Sequence, residues 1–306
     1  ATRATIETLI APLCIGREAT QIATLHGELQ RKLHALGRSG SVMYALSGLD
    51  IALWDIAGKR AGLPLCRLLN PAAKRGLPAY ASLLRYTQPE LVARKSHEAV
   101  ERGYRCVKLH EVGPAQARAA RAAIGPGVLL MMDANCPWSV AQAIAVAKEL
   151  REVDLHWLEE PVWPPEDYAG LAKVRAEGGI ALAAGENAAS IADFAQLAAA
   201  GAVDYVQPSI TKMGGVTQMM KVFELARSRC VAVAPHSAYF GPGLLATIHV
   251  CAAHQEPSMI ERYYCDLEAS PLGSAIDPVA GRFIVPENPG LGADPDPEVL
   301  RKYRMR

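Results

Sequence analysis

Three apolar runs in this chain end in an acid, at nearly constant spacing. They are Leu129-Leu130-Met131-Met132-Asp133, Leu155-His156-Trp157-Leu158-Glu159 and Ala181-Leu182-Ala183-Ala184-Gly185-Glu186. Each gap holds a helical pattern, so the runs read as buried strands of a βα repeat, and parallel strands of that kind end on one rim. Three unrelated surface acids at strand ends would show no such period. Carboxylates gathered on one rim repel one another, and a divalent cation relieves that repulsion. A donor set made only of oxygen favours Mg²⁺ over Zn²⁺.

Other reactive types fall at the same ends of the neighbouring strands. Val107-Lys108-Leu109-His110 sets Lys108 and His110 two apart, so both point the same way. Asn135 follows Asp133 by two residues. Gln207-Pro208-Ser209 leads to Lys212, and Pro235-His236-Ser237 and Glu261 close the series. A single strand-end histidine is ordinarily structural. A lysine, two histidines and four carboxylates on one rim point to catalysis.

The elements that must position these groups follow from periodicity. Strands are expected at 77–84, 106–111, 129–135, 155–161, 181–187, 205–210, 231–237 and 259–264. Helical patterns fill 89–102, 114–124, 140–153, 166–177, 191–200, 216–229 and 243–254. Eight strands alternating with seven helices predict a closed parallel barrel. Residues 1–75 read as helices, the longest from Ser41 to Ala61 and stopped by Gly62 and Pro64. Asp50 and Asp55 on it are expected to form a solvated or interhelical face. Residues 76–268 hold the barrel, and 269–306 form a Pro/Gly-rich extended tail that packs back on the helical part.

At 306 residues the chain suits one α/β barrel with an appendage. A net charge of +1 and the lack of a basic stripe exclude nucleic acid as an expected partner. No apolar run is long enough to span a bilayer, so no membrane is expected either. Seven cysteines without a C-x-x-C pair argue for reduced thiols and a cytoplasmic setting.

Taken in order, these motifs resemble the enolase superfamily. Val107-Lys108-Leu109-His110, Met132-Asp133-Ala134-Asn135, Trp157-Leu158-Glu159-Glu160-Pro161, Gly185-Glu186-Asn187, Gln207-Pro208-Ser209, Lys212-Met213-Gly214-Gly215-Val216-Thr217 and Ile260-Glu261-Arg262 look most like its mandelate racemase and muconate-lactonizing branch. Residues 47–59 are similar to that branch's cap helix. The resemblance implies a (β/α)7β barrel, with Mg²⁺ on Asp133, Glu159 and Glu186. It also implies a reaction that begins by removing a proton α to a carboxylate. In that setting Lys108 and His110 occupy the base-bearing strand, with Lys108 as a clamp on the substrate. His236 is the base of the opposite rim, and Glu261 matches a carboxyl that hydrogen-bonds the enolate when protonated. A dimer or octamer is implied as well.

Three departures shape the expectation. The branch usually carries a second lysine where His110 stands, and an aspartate that orients the strand-seven histidine where Ser209 stands. A hydroxyl can fix a tautomer but cannot stabilise an imidazolium as a carboxylate does, which weakens His236 as a base. The branch also begins with a three-stranded antiparallel sheet. Residues 1–40 show no strand alternation, so that sheet is expected to be missing here and to belong to a longer chain. The leading expectation is dehydration of a sugar acid to a 2-keto-3-deoxy acid, with His236 as the acid. A racemase, epimerase or cycloisomerase on a small carboxylate is the alternative, and a barrel without catalysis lies outside both.

Overall fold

The computed structural model describes residues 1–256 and 258–304. Eight strands run parallel: β1 (Gly76–Ser82), β2 (Cys106–His110), β3 (Leu129–Asp133), β4 (Trp157–Glu159), β5 (Leu182–Ala184), β6 (Tyr205–Val206), β7 (Ala232–Val233) and β8 (Ile260–Tyr263). Their order is β7-β6-β5-β4-β3-β2-β1-β8, with helices between successive strands. This is the expected α/β fold, a parallel sheet curled into a barrel.

Two features differ from the sequence reading. The strands are shorter than expected at the rim: β6 stops at Val206 and β7 at Val233. Beyond those points the chain leaves the ladder for the loops that carry the functional side chains. The ring also closes without a ladder between β7 and β8 among the described residues. Side chains bridge that seam: Ser237 N donates to Glu261 Oε2 at 2.9 Å, and Ser237 Oγ to the Glu261 carbonyl at 3.1 Å.

Register sets the site. His110 pairs with Asp133, and Asp133 with Glu159, so three functional residues lie in one row across β2, β3 and β4. Beneath that row the barrel is filled by Tyr80, Cys106, Met131 and Trp157, with the smaller Ala183 and Ala234. A larger apolar core lies between the strands and the surrounding helices.

The helical region docks by its longest helix, Gly40–Ala61, ended by Gly62 in the left-handed conformation (φ +66°). Asp50 is buried there, as the interhelical reading expected. It accepts from Thr217 N at 2.9 Å and from Thr217 Oγ1 at 2.5 Å. Ser47 Oγ accepts from Gly214 N at 2.8 Å. These contacts seat the cap helix on the start of the helix Gly215–Ser228. Gly215 (φ +79°) has no room for a Cβ, which would lie 2.5 Å from Asp50 Oδ2. Burial pushes the Asp50 carboxyl up to about 7, against the pull of the Thr217 hydrogen bonds.

The tail is more ordered than its composition suggests. Arg282–Ile284 forms an antiparallel strand on β1, pairing Phe283 with Leu77. Further on, Leu291 N donates to Asp55 Oδ1 at 2.7 Å, and Gly290 packs against Gly58.

Candidate active site

Alternation and register bring the predicted residues to one place. Ligand oxygens of Asp133, Glu159 and Glu186 lie within 4.8 Å of one another. Asp133 and Glu159 are buried, and Glu186 is mostly covered. Burial, followed by the neighbouring Asp133 charge, pushes Glu159 well above the usual carboxylate range. Asp133 goes the other way. Burial raises it, but Lys108 and His110 outweigh that and hold it below the usual range. A crowded, oxygen-only set of carboxylates in which one acid must be pushed toward neutrality fits a hard divalent cation.

Lys108 points toward the barrel axis, as alternation requires, but no part of it reaches the mouth. It is fully buried, with Nζ 2.8 Å from Glu159, 2.9 Å from Glu261 and 3.5 Å from Asp133. A buried ammonium stays charged only when paired in this way, and these acids raise it well above its ordinary value despite burial. Its charge is directed at the carboxylates that frame the site.

Glu261 is also deeper than a mouth-facing group. It accepts from Ser82 Oγ at 2.7 Å and from Ser237 N, besides pairing with Lys108. Burial raises its carboxyl, yet Lys108, His236 and Ser82 bring it down to about 2. In this arrangement both of its oxygens accept hydrogen bonds.

Two histidines, from β2 and from just past β7, approach the acid cluster from different sides of the rim. His110 Nδ1 is 2.5 Å from the Leu83 carbonyl, and its Nε2 is 3.3 Å from Asp133 Oδ2. A carbonyl oxygen only accepts, so Nδ1 keeps its hydrogen in either charge state. Nε2 is then the nitrogen that gains and loses a proton. His236 Nε2 lies 2.8 Å from Glu186 Oε2, and Nδ1 is 3.2 Å from Ser209 Oγ. The hydrogen bond from His236 and the charge of Lys212 lower Glu186 against its burial.

Ser209 thus stands beside His236, in the position its motif implied. It has a further partner that sequence reasoning missed: the Tyr239 hydroxyl hydrogen-bonds Ser209 Oγ, and the Tyr239 ring meets the imidazole edge-on, centroids 5.8 Å apart. Ser82, Ser237 and Arg85 were missed as well. Ser237 and Tyr239 lie one and three residues past His236, and that proximity was the one available signal. Asn135 lies at the rim, its Oδ1 accepting from Arg85 Nη2 at 2.9 Å.

Comparison with known proteins agrees with this geometry. Residues 91–299 match the family described as "Enolase C-terminal domain-like", and residues 1–70 match "Mandelate racemase / muconate lactonizing enzyme, N-terminal domain". The chain is 31% identical to D-galactarolactone cycloisomerase of Agrobacterium fabrum, over 95% of this chain and 82% of that protein. It is 29% identical to arabinonate dehydratase of Saccharolobus solfataricus, over 100% of this chain and 84% of that one. Among solved structures, a mandelate racemase/muconate lactonizing protein from Paracoccus denitrificans complexed with magnesium superposes with a TM-score of 0.93. It shares 31% identity, covering 98% of this chain and 86% of its own.

Proposed function

The chain belongs to the mandelate racemase and muconate-lactonizing branch of the enolase superfamily, an enzyme among dehydratases and cycloisomerases, and we propose that it dehydrates a sugar acid to a 2-keto-3-deoxy acid. One observation carries this reading: two histidines face a carboxylate cluster from different sides of one rim, with unlike partners on their Nδ1 atoms.

Asp133, Glu159 and Glu186 are the residues that would hold Mg²⁺. Bound there, it would supply the concentrated positive charge that a carboxylate needs as its α-proton leaves. This chain's own residues do the rest. His110 takes the α-proton on Nε2, since its Nδ1 hydrogen is committed to Leu83. His236 delivers a proton to the departing β-hydroxyl. Its Nδ1 partner is a hydroxyl, which can accept the Nδ1 hydrogen both in the imidazolium and in the imidazole left behind, so Nε2 is the nitrogen that gives up the proton. Lys108 holds Glu159 and Glu261 in place from below and keeps their charge from repelling the substrate carboxylate. No helix of the described residues is long and apolar enough to cross a membrane, and a small carboxylate is the expected substrate.

A second reading has its own support, the 31% match to a cycloisomerase. A lactone would undergo the same proton removal and elimination with the ring oxygen as leaving group, and no water would be lost. Incubation in D2O with mass analysis tests both. Dehydration gives a 2-keto acid one water lighter than its substrate, with solvent deuterium at C3. A product equal in mass to a lactone substrate, apart from deuterium, establishes the cycloisomerase. Deuterium in recovered substrate with no keto acid overturns both in favour of a racemase or epimerase.

A further inference from the structure

The loop after β1 places a cation at the barrel mouth that no acid answers. Arg85, three residues past Ser82, is exposed, yet its guanidinium is held. Nε donates to the His110 carbonyl at 3.0 Å and Nη2 to Asn135 Oδ1 at 2.9 Å, with a longer 3.5 Å contact to the Ala134 carbonyl. All three acceptors are neutral. The nearby acids are engaged elsewhere: Glu111 accepts from the main-chain N–H groups of Tyr86 and Thr87, and Asp133 faces Lys108 and His110. Among the described residues Arg85 forms no ion pair.

A guanidinium tied only to neutral oxygens keeps its full charge, and holding it in place beforehand reduces the ordering that binding a ligand would require. Its position matters as much as its charge. The carbonyl it grips is that of His110, and the amide it grips lies two residues beyond Asp133. Arg85 therefore sits on the β2–β3 sector of the rim, the sector that also carries His110 and Asp133.

The geometry points to Arg85 as the specificity-determining residue that receives a second carboxylate, so that the substrate class is the aldaric acids (sugar diacids) rather than the aldonic acids. This rests on the sugar-acid reading above. The chemistry required is a planar fork meeting a carboxylate, for which arginine is suited and lysine is not. The competing account is that Arg85 only ties the ends of β2 and β3 together.

Binding separates these accounts without depending on turnover. In a His110→Asn background with saturating Mg²⁺, calorimetry would compare galactarate with galactonate and glucarate with gluconate. Each pair differs only in its terminal carboxylate. We expect at least one diacid to bind roughly tenfold or more tightly than its monoacid partner, the scale of hydrogen bonds to a charged group. Arg85→Gln should bring that ratio close to one by weakening the diacid alone, and Arg85→Lys should restore only part of it. Equal or tighter binding of the monoacids overturns the inference. So does an Arg85→Gln variant that weakens both members of a pair equally, which would establish the structural tie, and so does failure of every diacid to bind. If the diacid preference holds while the D2O experiment shows no elimination, the dehydratase reading fails and Arg85 keeps its role.

Discussion

The two histidines are the same residue type at equivalent ends of two strands, and the fold equips them differently. His110 is the last residue of a five-residue strand paired along its length with β3, and its Nδ1 faces main chain. His236 follows a two-residue strand at the barrel seam, and its Nδ1 faces a hydroxyl that is itself joined to Tyr239. Main-chain carbonyls cannot reverse their hydrogen bonds, whereas hydroxyls can. The ladder side is therefore built to hold one protonation pattern, and the seam side to permit two. A base needs a single free lone pair in a known place. A hydroxyl partner on Nδ1 leaves both imidazole tautomers open, which a main-chain carbonyl does not.

The harshest test removes one of the three acids that lie between the histidines. Glu186→Gln should abolish Mg²⁺ binding and all turnover while leaving the fold intact, because a neutral amide cannot replace an anionic ligand. Unchanged Mg²⁺ affinity by calorimetry would sink the metal assignment. Next comes the ladder side. His110→Asn should cost on the order of 10²–10⁴ in kcat, the range for a lost general base, with Mg²⁺ affinity little altered. A variant that keeps most of its rate would move the base elsewhere and end the comparison.

The seam side should be more forgiving. Ser209→Ala removes the bond to His236 along with the one to Tyr239, and Tyr239→Phe removes only the latter; a neutral hydrogen bond of about 1 kcal/mol corresponds to roughly fivefold in kcat for each variant acting on His236. The double variant should fall short of the product of the two, because both act through one chain of hydroxyls. Fully multiplicative losses would show that Tyr239 does not work through Ser209. The smallest effect is expected from Ser209→Asp, which should slow elimination less than Ser209→Ala does. A carboxylate there favours a persistently charged imidazole. The sharper readout is solvent deuterium in recovered substrate, expected to rise as His236 becomes a better partner for exchange.

The cap joint offers a contrast in what is legible. Asp50 reads from sequence as one face of a helix, and only packing shows that it is sealed against Gly215 and Thr217. Between the tail and the cap, Gly290 fits against Gly58 with no space for a side chain on either. Glycine spacing in the sequence gives no sign of such a long-range pairing.

The sequence by itself determined the βα rhythm, the three acids and their common rim. A period-2 strand and a 3.6-period helix are local patterns, and strand ends in a parallel sheet share one edge by construction. It also placed Lys108 and His110 on one face and Ser209 beside His236, because alternation and motif order are local too. Tertiary structure alone decided depth and partners. That Lys108 is buried under Glu159 and Glu261, that Glu261 accepts from Ser82 and Ser237, that the barrel closes through Ser237, that Tyr239 bonds Ser209 and that Arg85 bonds Asn135 all depend on chain segments far apart in sequence. Those distances are set by how the strands stagger and where the loops turn, and neither is written in the periodicity of any single segment.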